Sequence, residues 1–124
     1  MSASIKDSAV SFLQLAASGK ADAAFERFVA AGFRHHNPYF QSDAESLKQA
    51  MNENARSHPD KVFEVQRVIH EGSMVAVHSR IRMNRDHPGV AVVHIFRFED
   101  ERIAELWDIG QPVPEGSPNS LGMF

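Results

Sequence analysis

The chain has 124 residues, 43% of them hydrophobic and 23% charged, with a formal net charge of −3 and no cysteine. That length suits one domain, taken as residues 1–124, and that balance allows both a core and a charged surface. Disulfides and thiolate metal sites are excluded; without a Lys/Arg run or a long apolar segment, neither a nucleic-acid surface nor a membrane partner is expected, and a cytoplasmic location is.

The first half reads helical. In "SIKDSAVSFLQLAASG", Ile5, Ala9, Phe12, Leu13 and Ala16 recur at helical spacing. Ser4 with Asp7 resembles a cap and acidic first turn, and Gly19 is a natural stop. "DAAFERFVAAG" repeats the pattern: Asp22 starts it, Phe25, Phe28 and Val29 share a face, and Gly32 ends it. "GFRHHNPYF" follows as a loop, because Pro38 biases Asn37 away from helical backbone. "SDAESLKQAMNENARSHP" then opens with Ser42 and Glu45 in capping-box spacing, carries Leu47, Ala50, Met51 and Asn54 on its inner stripe, and closes at Pro59.

The second half changes period. "KVFEVQRVIH", "SMVAVHSRIRM", "GVAVVHIFRF" and "RIAELWDIG" are rich in Val, Ile and aromatics and read as strands. Their connectors are short, so neighbours pair as antiparallel hairpins. The tail "QPVPEGSPNSLGMF" reads as an extended arm with an apolar tip. Helices first and strands later predict an α+β fold with a curved antiparallel sheet and helices on one face. On the third strand, Val90, Val92, His94, Phe96 and Phe98 alternate with Ala91, Val93, Ile95 and Arg97. Both faces are apolar along most of that strand, so the face away from the helices is expected to meet a second copy, in a homodimer or larger assembly. Trp107 is expected to anchor that interface.

Two polar groups interrupt faces that are otherwise apolar. His94 stands midway between Val92 and Phe96, and Asp108 follows Ala104 and Leu106 at period two. The short "EDE" connector makes their strands neighbours. Simple reflection about the turn puts Asp108 opposite Val93; a one-residue bulge puts it opposite His94. A carboxylate beside an imidazole in a partly dry pocket is suited to proton transfer. The bland alternative is that two buried polar groups merely satisfy each other. His35, His36, His78, His94 and Asp108 could supply metal ligands, but tight ligand spacing is missing and no metal is expected. His58, His70 and His87 lie beside turns and are expected to be solvated, as are Arg80 and Arg82 at a strand end.

Taken together, "RHHNPYF", "VIHEGSMVAVHSRI", "GVAVVHIFRFEDERIAELWDIGQPVPE" and the terminal "GMF" resemble the SnoaL-like polyketide cyclases of the nuclear-transport-factor-2-like superfamily. The resemblance runs from about Ile5 to Phe124. It implies a cone, with a strongly bent sheet wrapped around N-terminal helices and a pocket at the open end. It implies that Asp108 is the general acid/base of a cofactor-free intramolecular aldol condensation and that His94 is a pocket histidine. His36, Asn37 and Pro38 would form the pocket wall, with His36 or Asn37 turned inward and His36, Asn37 and His78 polarising a substrate oxygen. The partner implied is a small carbonyl or apolar molecule, and no cofactor. The chain departs from the family pattern at "QSDAES" and "EDER", each standing where an Asp-Gly is expected. Isomerisation by the same residues, or ligand binding without catalysis, are the other readings.

Overall fold

Residues 4–124 are described by a computed structural model. Eight elements follow one another: α1 (Ile5–Ala17), α2 (Ala21–Phe28), β1 (Val29–His35), α3 (Ala44–Ser57), β2 (Val62–Glu71), β3 (Met74–Arg82), β4 (Val90–Glu99) and β5 (Arg102–Pro112). The strands form one curved, unclosed sheet in the order β1-β5-β4-β3-β2. Three helices cover its concave face, which is the α+β arrangement expected from the order of periodicities.

α1 begins where the Ser4 hydroxyl accepts a hydrogen bond from the Asp7 N–H at 3.1 Å. Its buried face is Ala9, Phe12, Leu13 and Ala16. Gly19, at φ +84°, takes the left-handed conformation that ends the helix. α3 starts one residue later than the Ser42–Glu45 pattern suggested. Asp43 is the cap: its carboxylate accepts from the Ser46 N–H at 2.9 Å and from the Ser46 hydroxyl at 2.7 Å. A carboxylate satisfies two donors there and complements the helix dipole, so it displaces the neighbouring serine.

β1 is the main departure from the expected fold. The sequence pattern predicts a helix end and a loop from Val29 to His35; the stretch is instead an edge strand, parallel to β5. α2 therefore stops at Phe28, not at Gly32. Gly32, at φ +79°, lies within the register shift between Val29 and Arg34, where a side chain would be strained. The other four strands pair as antiparallel neighbours.

Phe12, Val75, Val77, Phe96, Ile103 and Leu106 are fully buried in the core between helices and sheet. Phe12 is its pin. Its ring meets Phe25 of α2 edge-on at 5.2 Å and Phe96 of β4 at 5.9 Å. The β4–β5 turn is only Asp100 and Glu101, both at positive φ, and a register shift follows between Arg97 and Phe98. That bulge seats Ala104 as an extra residue on β5, and it decides what Asp108 faces.

Candidate active site

Beyond the bulge, Asp108 is the direct partner of His94. Of the two registers open from the sequence, the bulged one is realised. Both side chains rise from the concave face, and both line a cavity of about 720 Å³ at the open end of the sheet. Its walls are largely apolar, with Leu47, Met51, Phe63, Ile81 and Val92 among them. Such a cavity takes a small apolar body and orients it by a few polar groups.

Asp108 Oδ1 lies 3.5 Å from His94 Nε2. Asp108 Oδ2 accepts a hydrogen bond from Asn37 Nδ2 at 2.9 Å. The amide of Asn37 has no freedom to turn, because its Oδ1 accepts from the Tyr39 N–H at 3.0 Å. Its own N–H donates to His35 Nδ1 at 3.1 Å, and His35 Nε2 donates to the Gln41 carbonyl at 2.6 Å. His35 is 3% exposed. It holds the loop after β1 in shape, and that shape aims Asn37 at Asp108. The tautomer of His35 follows from these two partners.

Parity explains why His35 faces inward and His36 does not. Parallel pairing sets His35 beside Leu106 of the core, so its neighbours Arg34 and His36 turn to the convex face. His36 borders the cavity, yet its ring lies flat on Trp107 at 5.0 Å, and its Nε2 is 2.6 Å from Glu105 Oε2. Arg97 and Arg34 reach the same carboxylate at 3.2 and 3.5 Å. The His36 hydrogen bond, followed by those cations, holds the Glu105 carboxyl below its ordinary range. Of His36 and Asn37, it is Asn37 that reaches Asp108, while His36 borders the cavity with its ring held by Trp107 and Glu105.

His78 is also corrected. It pairs with Val93 on the convex side of β3, where Arg67 contacts its Nδ1 and the Phe124 ring stacks on it at 5.9 Å. The Arg80 guanidinium also lies over the Phe124 ring, 5.1 Å from its centre. The apolar tip of the tail is therefore folded onto the convex face. Trp107 is on that face as expected, but His36 of its own chain covers one side of it. Among the described residues, no three His, Asp or Glu side chains are placed to share a metal ion. No helix among them is long and apolar enough to cross a membrane.

His94 is 5% exposed, and its Nδ1 is buried with no hydrogen-bond partner. Burial pushes the imidazole below its ordinary value of 6.5, and the Asp108 charge only partly opposes this. Its resting form near neutral pH is the uncharged ring, with Nε2 on the side of Asp108. A stability dependence follows. Below the ordinary value the unfolded chain binds a proton that the folded protein refuses, so stability is complete above about pH 6.5 and falls as pH drops through that window. Glu105 and Asp43, held below their ordinary values, lose their contribution only at more acidic pH. Melting temperatures between about pH 7.5 and 5 are expected to slope downward in the wild type and to flatten in His94→Gln. An equal slope in both proteins would refute the assignment.

Residues 9–106 match the SnoaL-like domain family. No curated protein matches the chain. Solved structures share the fold. A nuclear-transport-factor-2-like protein of unknown function from Cytophaga hutchinsonii superposes with a TM-score of 0.73 at 18% identity, over 90% of this chain and 94% of that one. A candidate polyketide cyclase from Sinorhizobium meliloti gives 0.67 at 16% identity, over 83% and 94%. A candidate isomerase of the SnoaL-like family from Agrobacterium tumefaciens gives 0.70 at 11% identity, over 86% and 97%. At such identities the likeness carries the fold alone.

Proposed function

The chain belongs to the SnoaL-like domain family, and from that premise we propose that it is an acid/base enzyme acting on a small carbonyl compound, with Asp108 as the base. One observation carries this: Asp108 stands at the wall of an apolar cavity with one oxygen held by Asn37 and the other facing the buried, uncharged His94. Asp108 takes a proton from the carbon alpha to a carbonyl, and the electron pair of that C–H bond moves into the enolate. In an aldol closure the enolate carbon attacks a second carbonyl of the same molecule, whose oxygen then receives the proton. In an isomerisation Asp108 returns the proton to a different carbon. Both steps only move a proton and rearrange bonds, so neither calls for a cofactor. His94 stands beside the carboxylate with its Nε2 at 3.5 Å, and Asn37 fixes the rotamer of Asp108 through the hydrogen bond to Oδ2. The same fold carries a candidate cyclase and a candidate isomerase, so both reactions are compatible with it. Deuterium exchange from heavy water into a model methyl ketone tests it: exchange above the buffer rate supports the reading, and exchange at the buffer rate leaves a ligand-binding protein.

We also propose that two copies pair through the convex face. Ile69 and Ile109 fall on it and are 64% and 60% exposed, beside half-buried Ala91, Val93 and Ile95. Static light scattering at micromolar concentration is expected to give at least twice the mass of one chain; a monomer only would reject the pairing.

A further inference from the structure

Lys61 lines the same cavity, immediately before β2. Its ammonium donates to Asn54 Oδ1 at 2.6 Å, and Asn54 lines the cavity too. Among the described residues no carboxylate pairs with it. Asp22, Arg56 and His58 line a polar groove on its other side, and the first of these, the only acid there, hydrogen-bonds Asn52 instead. Burial lowers the pKa of Lys61, and no neighbouring charge offsets it. A partly dry cation whose one protein partner is a neutral amide oxygen retains donors for an anion.

We propose that Lys61 is an anion-binding residue of the cavity and that the ligand is a carboxylate-bearing carbonyl compound. The inference rests on the reading of this cavity as the substrate site. Lys61 stands three strands from Asp108, about 14 Å across the sheet at ordinary strand spacing, and the pairings set it level with the residues beyond Pro112, so it is displaced from Asp108 along the strands as well. The carboxylate therefore sits at one end of an elongated apolar body and the reacting carbonyl at the other. The apolar walls between them take the hydrocarbon. Such an arrangement fixes which end of the molecule enters toward Asp108, because the reverse orientation would place an anion beside a carboxylate and leave Lys61 unpaired.

Titration calorimetry with octanoate and its neutral analogue octanamide tests this without turnover. The wild type is expected to bind octanoate about tenfold or more tighter than octanamide. Lys61→Met and Lys61→Gln are expected to lose that preference while still binding octanamide, and Lys61→Arg to keep it. Met and Gln remove a desolvated charge, so their melting temperatures are expected at or above that of the wild type. Equal affinities in the wild type, a preference that survives both neutral variants, or no octanoate binding at millimolar concentration would overturn the proposal. A protein that binds octanoate through Lys61 yet exchanges no protons would uphold the anion site and reject the catalytic reading, so the two fail separately.

Discussion

Asp108→Asn is expected to slow ketone exchange about 10²–10⁴-fold, the usual worth of a positioned acid or base. Asparagine keeps the shape of the side chain. Its amide oxygen can still accept the bond that Asn37 Nδ2 gives to Asp108 at 2.9 Å. What it cannot do is take a proton. Fold and melting temperature should therefore change little while the rate collapses. Adding His94→Ala should cost little more, because the two act on one proton and members of a unit are not additive. A structural pair behaves in the opposite way. Removing the Asp108 charge from beside the buried His94 would lower stability, and activity per folded molecule would stay intact. Exchange at equal rates in wild type, Asp108→Asn and the double variant, all folded, would reject the catalytic assignment.

Much of this arrangement was legible because strands carry period two. His94 and Asp108 each broke an apolar face, and a short connector made them neighbours. The sequence left two registers open; the bulge after the Asp100–Glu101 turn selects between them, and a bulge has no reliable signature when the extra residue is an alanine among apolar neighbours. β1 was hidden for a related reason. "VAAG" continues the alanine-rich pattern of α2, and its pairing is with a strand far along the chain. Without β1 there was no parity to tell His35 from His36, so the inward and outward histidines could not be sorted. His78 is different, because its placement was available: it shares parity with Arg80 and Arg82, while Val75 and Val77 take the other face. Lys61 gave no signal at all. A single lysine before a strand is ordinary, and only the cavity makes it unusual.

Phe12→Ala is expected to be the most damaging single truncation, costing about 3–5 kcal/mol. Phe12 is fully buried, and its edge-on contacts with Phe25 and Phe96 tie α1 to α2 and to β4. Alanine leaves a ring-sized void at the junction of helices and sheet, and neighbours held by two helices and a strand cannot collapse to fill it. Domains have only about 5–15 kcal/mol of stability in all, so the melting temperature should fall on the order of 10–20 °C. Ile69→Ala, at an exposed convex position, should stay within about 0.5 kcal/mol in the isolated chain. The damage should also reach the site. α1 supplies Leu13, Ala16 and Ala17 to the cavity wall, so a loosened α1 widens the cavity that presses a substrate against Asp108. At a temperature where Phe12→Ala remains folded, octanamide affinity should be weaker than in the wild type although Phe12 does not line the cavity. A melting temperature within a few degrees of the wild type would mean that the helices are held to the sheet by other contacts, and that Phe12 is not the pin.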